Sequence, residues 1–136
     1  MNAGVQGATL PNHMIEHPLS AHYDIAHGAG LSIVIPAWLK YAREQVTDRI
    51  ISFGREVLRI GDRLEGQSAI QQADTVIAAL EDWYRSIGTP VTLSEGGLTN
   101  VDVEACITQA LSLGELWGVP GYDADAVRAV YDLCNG

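Results

Sequence analysis

Apolar positions recur along most of this 136-residue chain with the period of an α-helix. Two stripes show the spacing most clearly. The first comprises Ile50, Phe53, Val57 and Leu58. The second comprises Ile70, Ala73, Val76, Ile77, Leu80, Trp83 and Ile87. No segment of useful length alternates with the period of two that a half-buried strand requires. The pattern therefore predicts amphipathic helices and an all-α architecture.

Glycine, proline and capping residues mark where these helices begin and end. Gly61, Gly66 and Ser68 separate the two stripes, and Ser68 is a suitable N-cap for the second. The motif Gly88-Thr89-Pro90 ends the second stripe, because glycine suits the position after a helix and proline cannot continue it.

Two shorter helical patterns close the chain. We predict one over residues 101–113, behind Asn100, and one over residues 123–134, behind Tyr122, with turn-forming residues 118–121 between them. Five acidic residues favour helix starts, where they would complement the helix dipole, so we interpret them as structural. They are Glu95, Asp102, Glu104, Asp123 and Asp125.

Three prolines interrupt the first 45 residues, which are less regular. Pro11 suits a helix start, with Thr9 or Asn12 as its cap. Pro18 and Pro36 suggest kinks.

A turn and an apolar run follow the first two prolines. Residues 24–30 are typical of a turn. Residues 31–35 have the composition of a buried strand, but the apolar pattern continues into residues 37–44 with no turn signal except Pro36. We therefore assign this run to a helix.

Composition and charge narrow the class of protein. Hydrophobic residues make up 47% of the chain and charged residues 18%, which is enough for one packed core. A formal net charge of −9 disfavours nucleic acid and acidic membranes as partners. Cys106 and Cys134 lack the spacing of a zinc cluster and are too few for a disulfide scaffold, so we expect them in the core. We expect a soluble, cytoplasmic protein, since no apolar run could span a bilayer and the start lacks a basic signal region.

The aromatic residues are expected to pack rather than to bind ligands. Trp38 with Tyr41, and Trp83 with Tyr84, are typical of core aromatics or of anchors between helices.

All four histidines lie within fifteen residues near the start of the chain: His13, His17, His22 and His27. His13 and His17 are four apart, so on a helix they project from one face, and His27 can reach them only if two helices pack as a hairpin. Neutral imidazole binds Fe(II), Zn(II), Cu and Ni, but the same spacing also arises with surface or core histidines. Glu16 and Asp24 could add oxygen ligands, but for each of them we favour a cap or a solvated surface charge.

The order of residues in the histidine segment resembles that of a known protein family. It begins at residues 2–4, continues through His13-Met-Ile-Glu-His17-Pro-Leu-Ser-Ala, and then reads Tyr23-Asp-Ile-Ala-His27-Gly-Ala-Gly-Leu as far as residue 38. Together with residues 88–98, this segment resembles the iron-containing alcohol dehydrogenases, particularly the butanol-dehydrogenase-like branch.

The resemblance implies a fold and a set of site residues. Members of that family have an N-terminal α/β domain that binds NAD(P) and an all-helical C-terminal domain that holds one divalent metal, usually Fe(II) and sometimes Zn(II), through one Asp and three His. Carried over by motif, His13 and His27 are metal ligands, His17 is a proton-relay residue beside the metal, and His22 matches no ligand. Residues 1–136 then form a single partial helical metal-binding domain without the nucleotide-binding domain.

Two hypotheses follow. In the first, the chain is the C-terminal metal-domain portion of an NAD(P)-dependent alcohol dehydrogenase, and the Asp and third His ligands lie in an upstream D-x3-H helix. With two ligands of four, the chain alone is expected to bind metal weakly, to transfer no hydride and to self-associate as a homo-oligomer through an apolar face. In the alternative, it is a non-enzymatic helical oligomerisation module with vestigial or weakly binding histidines.

Overall fold

A computed structural model describes the backbone of residues 3–119 and 121–135, and the side chains within these ranges from residue 11 onward. The described elements are α1 (Ala3–Tyr23), α2 (His27–Ala42), α3 (Thr47–Glu56), a 3-10 helix (Gly61–Leu64), α4 (Ala69–Ser86), α5 (Val103–Trp117) and α6 (Ala124–Leu133). No strand occurs in these ranges, which confirms the all-α prediction. Asn2 of the resemblance motif and Pro120 of the last predicted turn lie outside the described residues.

Helix α1 begins earlier than the prolines suggested. It starts at Ala3 and continues past both Pro11 and Pro18, so Pro11 is not a helix start and neither Thr9 nor Asn12 is its cap. Each proline removes one intrahelical hydrogen bond, and burial offsets this loss. From residue 11 onward, the apolar side chains of α1 that are completely buried are Met14, Ile15 and Leu19.

Helix α2 confirms the helical assignment of residues 31–35 and continues past Pro36. It begins at His27, inside the predicted turn 24–30, so the connection to α1 is only residues 24–26. Helix α2 contacts α1, α4 and α6 and is the centre of the fold.

The ends of α4 are as predicted. The Ser68 hydroxyl accepts a hydrogen bond from the Gln71 backbone N–H, and the Gln71 side chain accepts one from the Ser68 N–H, which is a complete capping box. After α4, Gly88 has a φ of 84°, a left-handed conformation that glycine adopts without strain. The two predicted stripes extend too far, however, since Val57 follows α3 and is 63% exposed and Ile87 is 60% exposed.

Helices α5 and α6 have different caps from those predicted. The Asp102 carboxylate accepts from Ala105 N–H and the Asp123 carboxylate accepts from Ala126 N–H, so neither Asn100 nor Tyr122 is the N-cap. A carboxylate caps better than a tyrosine because its oxygens reach back to the free N–H groups of the first turn. Helix α5 also runs four residues beyond the predicted end, to Trp117.

The predicted structural role holds for four of the five acidic residues. Asp102 and Asp123 cap helices, and Glu104 and Asp125 lie in the first turns of α5 and α6. Glu95 differs, because it lies in the segment between α4 and α5 and forms an ion pair with Arg85. That pair lowers the pKa of Glu95.

The buried side chains that the structure describes form two adjoining clusters. The main one lies between α1, α2, α5 and α6. The second lies between α3, the 3-10 helix and α4. Leu39 and Val46 pack against both clusters and connect them. As predicted, Cys106 and Cys134 are in the core.

The aromatic predictions are confirmed only in part. Trp38 is buried, and its indole N–H donates to the Tyr122 hydroxyl. Tyr41 is 40% exposed and Trp83 is 50% exposed, so these two rings lie at the surface. None of the helices in the described ranges combines the length and apolar content needed to cross a lipid bilayer.

Replacing Gly54 by alanine should destabilise the fold, because helices α3 and α4 touch at this point. A Cβ atom at position 54 would overlap the Val76 side chain, which is β-branched and cannot turn away. Overpacking typically costs about 1–3 kcal/mol, more than the roughly 1 kcal/mol that alanine gains over glycine in a helix. Urea unfolding should therefore show a lower free energy for Gly54→Ala.

Gly28→Ala is the matched control for Gly54→Ala. Gly28 is also helical, but an added Cβ would meet no atom within 4 Å. Its stability should be unchanged or slightly higher. Equal stability of both variants would contradict the close approach of α3 and α4.

Both thiols should resist alkylation and disulfide exchange in the folded chain. Burial raises the pKa of Cys106 to about 11 and that of Cys134 to about 12. An unfolded cysteine has a pKa of about 8.5, so the folded state favours the neutral thiol. This stabilisation is complete below the unfolded pKa and is lost as the pH rises above it.

We expect almost no reaction with Ellman's reagent at about pH 8, full reaction of both thiols in guanidinium chloride, and falling stability at higher pH. Cys134→Ala would identify any thiol that reacts early. Rapid labelling of either thiol in the folded chain would contradict their burial.

Candidate metal centre

Helices α1 and α2 form a tight hairpin, which is the condition that the histidine hypothesis required. The three connecting residues begin with Asp24, whose φ of 55° is in the left-handed region that aspartate tolerates. Tyr23, at the end of α1, accepts a hydrogen bond from the Asp102 N–H, and Ile25 packs against the main core. These contacts fix the direction in which the chain returns.

The hairpin brings His13 and His27 together. His13 Nδ1 lies 3.0 Å from His27 Nε2, and the two rings are stacked with centroids 5.1 Å apart and planes inclined by 25°. The side chain of His27 is half-exposed, so the pair opens towards solvent on one side.

The buried side chain of Glu16 completes the cluster. Glu16 is fully buried; its Oε2 hydrogen-bonds His27 Nδ1, and its Oε1 accepts a hydrogen bond from the Ser20 hydroxyl. The interpretation of Glu16 as a cap or a solvated charge was therefore wrong. The reason is that its helix face is turned towards α2, where Gly30 leaves space for the carboxylate.

A sequence signal for this cluster existed. Residues 13, 16, 17 and 20 are His, Glu, His and Ser, at the i, i+3, i+4 and i+7 spacing of one helix face. A polar stripe on a helix with buried apolar neighbours indicates a polar cluster. The spacing did not predict that Glu16 contacts His27 on α2.

The hydrogen-bond partners define which ring nitrogen carries a proton. Glu16 Oε2 accepts a hydrogen bond from His27 Nδ1, so Nε2 of His27 keeps a lone pair directed at His13. His13 Nδ1 then donates to this lone pair. This arrangement directs the lone pair of His27 Nε2 at His13, between the two rings.

The other sequence candidates lie at the surface. His17 is exposed on α1, one turn beyond His13, and its ring packs edge-on against Trp117 with centroids 6.4 Å apart. His22 is exposed beside Tyr23, and Asp24 is exposed in the connecting turn. The hairpin thus joins His13, Glu16 and His27, whereas His22 and Asp24 face solvent.

Tyr131 of α6 contacts α1 next to the cluster. Its buried hydroxyl donates to the Ile15 carbonyl, the residue before Glu16. Burial raises the pKa of the phenol, so it remains a donor. Helix α6 therefore contacts the backbone of α1 at the residue next to Glu16.

The donor set fits half of a metal coordination shell. Metal–imidazole bonds are about 2.0–2.1 Å long, so two adjacent ligand nitrogens on one ion lie roughly 3 Å apart. The nitrogens of His13 and His27 have this separation. In the part of the chain that the structure describes, no group of three or more His, Cys, Asp or Glu side chains forms a complete cage. The assignment of His13 and His27 as ligands stays a prediction.

Comparison with known proteins gives the family. Residues 2–131 match the sequence profile of the Fe-containing alcohol dehydrogenase family, C-terminal. The chain is 32% identical over 122 residues to NADH-dependent butanol dehydrogenase A of Clostridium acetobutylicum, covering 88% of this chain and 31% of that protein. It is 30% identical over 138 residues to NADPH-dependent aldehyde reductase YqhD of Escherichia coli, covering 97% of this chain and 35% of that protein.

A solved structure agrees with this assignment. The crystal structure of NADH-dependent butanol dehydrogenase A from Thermotoga maritima superposes with a TM-score of 0.79 at 30% identity, covering 93% of this chain and 33% of that one. The chain thus spans about a third of the length of these relatives. From the profile match and these similarities, the chain belongs to the Fe-containing alcohol dehydrogenase family and corresponds to its helical C-terminal part.

Proposed function

We propose that this chain is the metal-holding part of an NAD(P)-dependent alcohol dehydrogenase that interconverts alcohols and aldehydes. The observation that carries the proposal is the 3.0 Å approach of His13 Nδ1 and His27 Nε2 at the open side of the α1–α2 hairpin. Family membership supports the reaction class, because the relatives are named as butanol dehydrogenases and an aldehyde reductase. Their names also supply the cofactors, NADH and NADPH.

His13 and His27 would hold one divalent cation, Fe(II) or Zn(II). When bound, such a cation acts as a Lewis acid that polarises an alcohol or aldehyde oxygen during hydride exchange with a nicotinamide. His27 would contribute Nε2, which carries the lone pair because Nδ1 donates to Glu16 and which faces His13. His13 contributes Nδ1 once its proton is lost or moves to the other ring nitrogen.

The proposed role of His17 is to pass a proton between the substrate oxygen and solvent. This role comes from its motif position, and two features of its surroundings support it. The ring is exposed, so it can exchange protons with water, and the edge-on contact with Trp117 restricts its orientation. His17 does not replace a ligand in this scheme.

The other ligands in the family pattern come from a D-x3-H helix, which we propose to lie in a preceding part of the full enzyme. The surface of this chain has room for further contacts, since Leu116 is 77% exposed and Trp117 is 37% exposed at the end of α5. Apolar side chains in such positions are typical of surfaces that pack against another segment or subunit. We expect cytoplasmic location and self-association of the chain alone.

Metal binding by the chain should be weak and should need both paired histidines. Co(II) is a suitable probe because its visible absorption reports the ligand set. We expect one ion per chain, low affinity, and loss of the absorption band in His13→Ala and in His27→Ala, since one imidazole alone binds poorly. His22→Ala is the matched control, because His22 is an exposed histidine on the same helix. Undiminished binding in both ligand variants would contradict the assignment.

Activity should appear only with a nucleotide-binding part present. The chain would be mixed with the N-terminal portion of a family enzyme and Fe(II), and oxidation of NADH would be followed with butyraldehyde as substrate. His13→Ala and His27→Ala should abolish the activity, whereas His22→Ala should retain it. If Co(II) does not bind and mixing gives no turnover, the alternative of a non-enzymatic helical oligomerisation module is favoured.

A further inference from the structure

Glu16 is an unusual residue in this fold because it is a fully buried carboxylate. Among the described side chains, it is the only acidic or basic one that is buried. Burying a charge is costly unless hydrogen bonds and an opposite charge compensate for it. Its contacts therefore indicate what the position is for.

Both carboxylate oxygens have a partner. Oε1 accepts from the Ser20 hydroxyl, one turn further along α1, and Oε2 bonds His27 Nδ1 across the hairpin. The first bond orients the carboxylate within its own helix, and the second transmits that orientation to α2. The half-exposed ring of His27 is thus held from its buried side.

Gly30 provides the space that this arrangement needs. A Cβ atom at position 30 would lie only 2.6 Å from Glu16 Cδ and 2.7 Å from Cγ, closer than real Cβ contacts. Any other residue here would push the carboxylate out of its place. Gly28, in the same first turn of α2, has open space around it: an added Cβ would meet no atom within 4 Å, so this position tolerates a side chain.

We propose that Glu16 is the positioning residue of the metal centre, and that Ser20 and Gly30 hold it in place. By accepting a hydrogen bond from His27 Nδ1–H, Glu16 fixes the tautomer and the ring orientation in which Nε2 faces His13. Histidine ligands commonly need such an outer hydrogen bond, and its loss costs affinity for the metal. This inference rests on the proposed function, because it assigns Glu16 to the same centre.

A purely structural role is the competing explanation. In that case the Glu16–His27 bond would only fasten α1 to α2, and its removal would lower stability without changing the state of the His27 ring or the affinity of folded protein for metal. The two explanations are separated by measurements on the ring and on the metal, made with protein that is shown to be folded by circular dichroism.

The first measurement needs no metal. Nitrogen-15 spectra of the histidine rings, recorded at a pH where they are neutral and assigned with His→Gln variants, report which nitrogen carries the proton. In the wild-type chain His27 should be protonated at Nδ1. In Glu16→Ala this preference should be lost, while in Glu16→Gln, whose amide oxygen still accepts, it should be largely kept. An unchanged tautomer in folded Glu16→Ala would overturn the proposal.

The second measurement is Co(II) affinity. Glu16→Ala should weaken binding by about 10–100-fold, the usual effect of losing an outer-shell partner, and Glu16→Gln should lose less. Gly30→Ala should weaken binding in a similar way because it displaces the carboxylate without removing it. Gly28→Ala is the matched control and should bind as the wild type does.

Two further variants keep the test valid if Glu16→Ala does not fold. If Glu16→Ala does not fold, Ser20→Ala and Gly30→Ala address the same carboxylate with smaller changes, and wild-type affinity in both would overturn the proposal. If the wild-type chain fails to bind Co(II), the proposed function fails. If the wild type binds and the folded variants bind equally well, only the role of Glu16 fails.

Discussion

The packing of α1 against α2 is the constraint on which the candidate site depends. Only three residues connect the helices, and the close approach at Gly30 lets a carboxylate of one helix lie against the backbone of the other. His13 and His27 are fourteen positions apart in sequence, yet their ring nitrogens are within hydrogen-bond distance. A change in the register of this hairpin would separate the histidines and expose Glu16 at the same time. The geometry of the histidine pair and the burial of Glu16 therefore depend on the same packing of α1 against α2.

The rest of the fold keeps α1 in place although two prolines weaken it. Helix α5 approaches α1 so closely that a Cβ at Gly114 would lie 2.6 Å from Met14 Sδ. Helix α6 adds the Tyr131 hydroxyl, which donates to the Ile15 carbonyl. Because buried contacts surround α1 on the sides away from His27, the helix need not rely on its own hydrogen bonds. The polar cluster therefore lies next to a packed core, and the His27 side chain is half-exposed to solvent.

This arrangement is consistent with a chain that represents about a third of the length of its relatives. In the function that we propose, the two imidazoles bind a cation, and the exposed apolar end of α5 packs against a further segment of the enzyme. The two parts of the enzyme then have different roles. The helical part holds two nitrogen donors and fixes their direction, whereas nucleotide binding belongs to the remaining part of the family fold in the function that we propose.

The sequence predicted the helical class, the Ser68 cap, the burial of both cysteines and the family. It could do so because periodicity, capping residues and sequence motifs are local properties of the chain. The start of α1 and the caps of α5 and α6 were misplaced, since proline and asparagine have preferences that packing overrides and several polar residues compete for one cap position. That Glu16 is buried and bound to His27 became evident only from the packed helices. The environment of a charge depends on which helix covers it, and neither the partner face of α2 nor the space at Gly30 can be obtained from the spacing of residues along α1.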